Sequence, residues 1–297
     1  MVTRRKRRKK HTFFVIALPI VLLMAYFAVN PDHWYRLTAG SERQRISVKE
    51  TKASMEERSL ADMQTDESVQ FNQSLMLINT EYMLSEDFVA ETGEYKDSGV
   101  DMNICILEAY SALAAAVKEE TGDKLYISSG IRDKEHQQRL YEEDPKTATI
   151  PGASEHETGL CMDVYVTYYA GDGFLKSEAG QFVNYSCDEY GFIIRYPSYG
   201  EKETGIRFEP WHIRYVGFPH SEIIYNNKLT MEEYIFSLKE GVCYEAAGYL
   251  ITRQRPVDGK VYVPEGCDSY VVSPDNTGCY IITGKKTVAT IKYLETA

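Results

Sequence analysis

Two short stretches of the sequence carry residue types that could build a metal centre. In PGASEHETGLCMDVYV, His156 and Asp163 stand seven residues apart as a β-branched run begins. In RFEPWHIRYVG, Glu209 and His212 stand three residues apart. Catalytic zinc sites are built from residues of these types. Two histidines and an aspartate can bind the metal, and the glutamate remains as an additional carboxylate. Such a site has three protein ligands, one position left for water and a carboxylate as general base.

The same residues have simpler explanations. The first stretch could be a polar turn that enters a strand, and each histidine could be structural. A third stretch, ISSGIRDKEHQQRLY, places Arg132 at a strand-to-helix turn. There its guanidinium could bind a carboxylate through two hydrogen bonds or form a surface salt bridge. Cys161 lies on the same strand face as Asp163, so it is either a thiolate ligand or a small buried filler.

The hydrophobic pattern predicts helices and short strands around these stretches. Apolar residues at helical spacing predict a helix over 102–122 that ends at Gly122. Asp133 is placed to cap a second helix, and Thr230 with Glu233 forms a capping box at the start of a third. The predicted strands are KLYISSG, CMDVYV, FIIRY and the region FEPWHIRYVG. Short alternating strands follow the third helix.

The charge of the chain is unevenly distributed. The 297 residues carry a formal net charge of −11, yet the first ten contain seven lysines and arginines and no acid. The rest of the chain is therefore even more acidic than the whole. Because such a surface repels the phosphate backbone, we expect no nucleic-acid partner.

Residues 12–29 form an uncharged, mostly apolar run that is long enough for one spanning helix. The basic residues before it should stay in the cytoplasm by the positive-inside rule, so everything after residue 30 should lie outside. A cleaved signal peptide is the rival interpretation. No small-x-small cleavage site follows the run, so the sequence favours an uncleaved anchor.

Four motifs together resemble the VanY-type D-alanyl-D-alanine carboxypeptidases, which are metallopeptidases that trim peptidoglycan stems. They stand in this sequence as SGIRDKEHQQRLY, PGASEHETGLCMDV, YGFIIRYP and TGIRFEPWHIRYVG. The resemblance covers about residues 72–240, in the family's order and spacing. It implies that His156, Asp163 and His212 bind zinc and that Glu209 is the catalytic base.

The resemblance also assigns residues to the substrate. It implies that Arg132 stabilises the substrate carbonyl or carboxylate, and that Gln137 and Ser154 lie near the substrate. The sequence departs from the family pattern beside these residues. Asp133 replaces a serine and could pair with Arg132, and Cys161 replaces an alanine. Neither departure removes a predicted ligand or the predicted base.

The resemblance implies an α+β fold, in which helices pack on a small antiparallel sheet around a zinc cleft. The predicted organisation is a cytoplasmic basic segment at 1–11, a transmembrane anchor at 12–29, a stalk at 30–71, a zinc D,D-carboxypeptidase domain at 72–241 and a β-rich C-terminal extension at 242–297. Six cysteines are present, none in a CxxC pair, and Cys267 with Cys279 is the expected disulfide.

The expected protein is a bacterial, single-pass membrane enzyme with an extracytoplasmic catalytic domain. It would use zinc to remove the C-terminal D-Ala from peptidoglycan stem peptides. Three alternatives stay open. The same fold could act as an L,D-carboxypeptidase or as a wall endopeptidase, or it could bind wall peptides without cutting them.

Overall fold

The computed structural model describes residues 18–38, 43–96, 98–145 and 148–287. Its α-helices with defined bounds are α1 Pro31–Thr38, α2 Leu60–Met63, α3 Leu107–Thr121, α4 Lys134–Glu143, α5 Glu178–Ser186, α6 Glu201–Thr204, α7 His220–Asn227 and α8 Met231–Ser237. Its strands are β1 Lys49–Glu50, β2 Met55–Ser59, β3 Val69–Phe71, β4 Thr92–Glu94, β5 Asp101–Asn103, β6 Tyr126–Ser129, β7 Cys161–Tyr165, β8 Phe192–Ile194, β9 His212–Tyr215, β10 Cys243–Ala246, β11 Tyr249–Gln254, β12 Lys260–Pro264, β13 Cys267–Pro274 and β14 Tyr280–Lys286.

A four-stranded antiparallel sheet in the order β6-β7-β9-β8 carries the predicted motifs, as the α+β prediction requires. Strands β7 and β9 pair so that Asp163 lies opposite His212 and Cys161 lies opposite Arg214. Because side chains alternate along a strand, these four residues share one face. The other face packs into the main core through Met162, Val164 and Ile213.

Helix α3 covers the core face of this sheet. It spans Leu107–Thr121, within the predicted 102–122, and starts later because residues 101–106 form β5 and a 3₁₀ turn. It ends where predicted, at Gly122, whose φ of +75° is the left-handed conformation that glycine adopts without strain. Its buried side chains recur at helical spacing and are Tyr110, Leu113 and Val117.

The prediction of a stalk over 30–71 is wrong for the strands in this segment. Strands β1 and β3 pair with β10 and β13 and thus join a six-stranded sheet in the order β1-β10-β11-β14-β13-β3. Strand β2 pairs with β12 in a separate ribbon, where Glu57 accepts a hydrogen bond from Lys260 at 2.7 Å. The segment resembles a linker in sequence because exposed strands at sheet edges carry charged side chains. The predicted C-terminal extension is therefore paired with the segment that precedes the four sequence motifs.

The predicted membrane anchor is only partly described. Residues 18–29 are helical, and the earlier residues of the anchor, 12–17, lie outside the described part of the chain. Among the described residues, no helix has both the length and the apolar character needed to cross a membrane. The anchor remains a prediction.

The predicted disulfide between Cys267 and Cys279 is wrong, and both cysteines are free thiols. Strands β13 and β14 form an antiparallel pair in which Cys267 lies opposite Lys286, whereas Pro274 lies opposite Tyr280. Cys279 directly precedes Tyr280, so the two cysteines lie at opposite ends of the pair. A disulfide needs Cα atoms within about 4.4–6.8 Å of each other.

A buried ion network lies on the same face of the four-stranded sheet as Asp163 and His212. Glu155 Oε1 accepts a hydrogen bond from Arg195 Nε at 2.7 Å, and Arg214 Nη1 lies 2.7 Å from the same oxygen. All three side chains are at most 1% exposed. Burial alone would raise the pKa of Glu155, but the two guanidinium groups outweigh it and hold that pKa well below its ordinary value. The carboxylate therefore stays charged.

Removing the charge of Glu155 should destabilise the fold more than removing the charge of Glu157, which lies in the same turn. We expect Glu155→Gln to lower the free energy of unfolding by about 3–5 kcal/mol, because Arg195 and Arg214 would lose their shared buried carboxylate. Urea denaturation of the metal-free protein, followed by circular dichroism, measures the effect without any contribution from metal binding.

Glu157→Gln is the matched control. Glu157 accepts a hydrogen bond from the Gly152 N–H at 2.6 Å, and burial raises its pKa, so the neutral amide should cost less than about 1 kcal/mol. Equal destabilisation by the two substitutions would show that the ion network does not determine the stability of this turn.

Candidate metal and catalytic site

His156 lies in the 3₁₀ turn Glu155–Thr158, directly before β7. The turn ends at Gly159, whose φ is +67° and whose missing Cβ would lie 2.8 Å from the Asn103 nitrogen. A side chain there would be strained and would clash with the backbone. Glycine thus allows the chain to turn sharply, which brings His156 next to Asp163 on the strand that follows.

A hydrogen bond to one ring nitrogen of His156 leaves the other ring nitrogen available to bind a metal ion. Its Nδ1 lies 2.8 Å from the Gly130 carbonyl oxygen, which can only accept, so Nδ1 carries the proton. Its Nε2 is left with a free lone pair and lies 3.6 Å from Asp163 Oδ2. A ligating histidine is typically oriented in this way by a hydrogen bond from its other nitrogen.

The second histidine meets Asp163 from the neighbouring strand. His212 Nδ1 lies 3.1 Å from Asp163 Oδ1, and its Nε2 lies 3.8 Å from the Oε2 of the buried Glu155. Burial lowers the pKa of His212, but the neighbouring Cys161 and Asp163 outweigh that effect and hold the pKa well above its ordinary value. The surroundings of His212 therefore favour a positive charge at this point.

The donor atoms fit a zinc ion. Two imidazole nitrogens and a carboxylate are ligands that zinc prefers. Within the described part of the chain, Asp163 Oδ1 is buried without a hydrogen-bond partner, and so is His212 Nε2. A cation between the histidines would satisfy the carboxylate, and the nearby Glu155 would hold the outer nitrogen of His212.

Cys161 also faces these histidines. The Cys161 sulfur and one nitrogen each of His156 and His212 all lie within 4.8 Å of one another, and the three residues are buried. Burial would raise the pKa of the thiol, but the two histidines outweigh it and lower that pKa to about 7. The sequence left open whether Cys161 is a ligand or a filler, and the structure places its sulfur close to both histidines.

Glu209 lies at the edge of the donor set, in the loop before β9. Its Oε2 is 3.8 Å from His212 Nδ1, and its side chain is 21% exposed. Burial raises the pKa of Glu209, with Asp163 adding to the rise and His212 opposing it. A carboxyl group of this kind, close to the metal ligands but separate from them, can both take up and release a proton.

Arg132 borders the site on the other side of Asp163. Its Nη2 lies 3.5 Å from Asp163 Oδ2, and its guanidinium donates to Ser129 Oγ at 2.8 and 3.0 Å and to Gln137 Oε1 at 3.3 Å. Asp133 does not weaken this arrangement, because its side chain caps α4 by accepting the His136 N–H. Arg132 is therefore held in place at the edge of the site.

The two remaining predicted substrate residues are buried. Gln137 is 1% exposed and donates to the Thr149 carbonyl at 2.8 Å, so its contacts hold Arg132 and a neighbouring loop. Ser154 is 6% exposed and directly precedes the turn that carries His156. Their contact with substrate stays a prediction.

A cleft of about 400 Å³ opens beside Glu209. Residues of its wall include Asn79, Thr149, Tyr196, Ile206 and Arg207. The Tyr196 ring lies 4.9 Å from the His212 ring, between centroids, which joins the wall to the donor set. A small peptide end could enter this cleft and reach Glu209.

Sequence reasoning did not predict the buried ion pairs that join Glu155 to Arg195 and Arg214. A signal was present, since each arginine stands within an apolar strand sequence, FIIRY or HIRYV. A cation in such a position predicts a buried acidic partner. Only the tertiary structure shows that Glu155 is this partner.

Comparison with known proteins finds one family model and several relatives that match this chain. Residues 100–218 match the VanY family, described as D-alanyl-D-alanine carboxypeptidase. A D-alanyl-D-alanine carboxypeptidase of Enterococcus faecium is 29% identical, with 92% of this chain and 96% of that protein covered. The putative carboxypeptidase YodJ of Bacillus subtilis (strain 168) is 32% identical, with 56% of this chain and 68% of that protein covered.

Solved structures agree with this placement. The vancomycin-resistance D,D-dipeptidase VanXYg, in complex with a D-Ala-D-Ala phosphinate analog, has a TM-score of 0.61 and 25% identity, covering 79% of this chain and 99% of its own. A mutant of the D,D-pentapeptidase VanY from the VanB-type cassette, in complex with Zn(II), has a TM-score of 0.50 and 29% identity, covering 55% and 98%. Family match, relatives and fold agree, and the chain belongs to the VanY family of D-alanyl-D-alanine carboxypeptidases.

Proposed function

We propose that the protein is a zinc-dependent D,D-carboxypeptidase, anchored in the membrane, that removes the C-terminal D-alanine from peptidoglycan stem peptides. The observation that carries the proposal is the convergence of His156, Asp163 and His212 beside Glu209 and Arg132. The substrate class is supported by the relatives named above, and zinc by the VanY neighbour in complex with Zn(II).

His156 Nε2, His212 Nδ1 and the Asp163 carboxylate would hold the zinc ion. Zinc at this position supplies a Lewis acid that makes water a nucleophile near neutral pH. Glu209 accepts the proton of the attacking water through the carboxylate that lies 3.8 Å from His212 Nδ1. It then passes this proton to the amine of the departing D-alanine. Its raised pKa makes the Glu209 carboxylate a stronger base toward the water proton, and the protonated carboxyl group is still acidic enough to pass that proton to the departing amine.

Arg132 provides the positive charge that a peptide end requires. Its guanidinium can bind the terminal carboxylate or the oxyanion that develops at the scissile carbonyl. Ser129 and Gln137 fix the guanidinium before substrate arrives, so little conformational entropy is lost on binding. Gln137 thus acts as a positioning residue for Arg132.

Substitution of the proposed base and substitution of a proposed metal ligand should have different effects on zinc content and on kcat. Glu209→Gln keeps the side-chain shape and should retain zinc, while kcat on a pentapeptide stem falls by about 10²–10⁴, because the proton acceptor is lost. His156→Ala should lose zinc and activity together, since it removes a ligand. Elemental analysis and mass spectrometry of the stem peptide measure the two quantities.

Glu203→Gln, an exposed change on α6, is the control and should leave zinc content and kcat unchanged. Near-normal turnover by zinc-loaded Glu209→Gln would refute the role of Glu209, and full zinc content in His156→Ala would refute the ligand assignment. A tetrapeptide stem assayed in parallel separates the activities, because its cleavage without pentapeptide cleavage would indicate an L,D-carboxypeptidase.

The proposed topology places the catalytic residues outside the cell. Protease added to intact cells should digest the region after residue 30 and leave a protected fragment that contains the basic residues and the run at 12–29. Immunoblotting with an N-terminal tag detects that fragment. A protein that resists digestion until the cells are lysed would contradict the topology.

A further inference from the structure

We propose that Cys161 is a fourth protein ligand of the metal, so that the resting site holds two nitrogens, one oxygen and one sulfur. This inference rests on the proposed zinc site and adds a residue to it. On binding, the thiol passes its proton to a water molecule that leaves the hydration shell of the metal, and the sulfur donates an electron pair to the metal.

The strand determines the direction of the Cys161 side chain. Cys161 stands two residues before Asp163 on β7, so both point to the same face of the sheet. Its register partner on β9 is Arg214, which brings the thiol next to the buried carboxylate network rather than into the apolar core. The residue is 1% exposed, so its sulfur has no access to bulk solvent.

The distances suit a shared metal. Zinc bonds of about 2.0–2.3 Å place two ligand atoms roughly 3.3–3.8 Å apart in a tetrahedral site. Asp163 already lies 3.1 Å from His212 Nδ1 and 3.6 Å from His156 Nε2. The Cys161 sulfur lies within 4.8 Å of a nitrogen of each histidine, so a metal ion bound by both histidines would lie close to the sulfur.

A thiolate would change the properties of the site. Three protein ligands leave one tetrahedral position open, whereas four close it, so substrate or water would have to displace a ligand or expand the coordination. Sulfur also favours soft metals and holds zinc strongly. A residue that merely fills space would contribute no bond to the metal, which gives the proposal a direct spectroscopic test.

X-ray absorption at the zinc edge of the full-length, zinc-loaded protein makes this test without any substitution. We expect a sulfur scatterer at about 2.3 Å in addition to nitrogen and oxygen scatterers at about 2.0–2.1 Å. Bound zinc with only nitrogen and oxygen neighbours would overturn the ligand proposal and leave the proposed function intact. A protein that binds no zinc would overturn both.

Cobalt substitution identifies the sulfur. The cobalt-loaded protein should show a near-ultraviolet sulfur-to-cobalt charge-transfer band that Cys161→Ala loses. Cys187→Ala, a change at another buried cysteine that lies in the 3₁₀ turn Cys187–Tyr190, should keep the band. A band that persists in folded Cys161→Ala would overturn the assignment. If that variant does not fold, the zinc-edge spectrum of the unchanged protein still shows whether sulfur binds the metal.

Discussion

The buried carboxylate of Glu155 is the constraint on which the rest of the site depends. Arg195 follows β8, Arg214 lies on β9, and both meet Glu155 in a region closed to water. Arg195 also pairs with Glu232 on α8 at 2.6 Å. Because an unpaired charge in such a place is very unfavourable, the turn, the two strands and the helix must assemble together. His156 follows Glu155 in the chain, so this assembly also places the first predicted ligand.

Two glutamates near His212 lie in opposite electrostatic environments. Glu155 lies between two guanidinium groups, which hold its pKa well below the ordinary value, so it remains a fixed negative charge behind the histidine. Glu209 lies at the cleft, where burial raises its pKa, so it can exchange a proton. Two carboxyl groups with pKa values shifted in opposite directions are a common way to divide structural and proton-transfer roles.

The six-stranded sheet forms by pairing segments that are distant in the sequence. Strands β1 and β3, from residues 49–71, share one sheet with β10, β11, β13 and β14, which follow α8. The segment that precedes the four sequence motifs is thereby fixed to the segment that follows them. Arg214 links this region to the four-stranded sheet by donating to the carbonyls of Ser74 and Met76 at 3.1 and 2.9 Å.

Local signals in the sequence predicted much of the fold. The helix end at Gly122, the Asp133 cap, the Thr230–Glu233 capping box and the alternation along β7 all depend on residues close together in the chain. The motif residues His156, Asp163, His212 and Glu209 were likewise identified from type and spacing, and the structure brings them together. Backbone preference and side-chain alternation act over a few residues, so the sequence alone expresses them.

Tertiary structure decided the features that join distant residues. The charged strand β2 resembles a linker in sequence but pairs with β12, and Cys267 and Cys279 are near each other in sequence but lie at opposite ends of the β13–β14 pair. The partner of the buried arginines and the approach of Cys161 to both histidines also depend on which strands become neighbours. Strand register and burial arise from interactions summed over the whole core, and no local pattern specifies them.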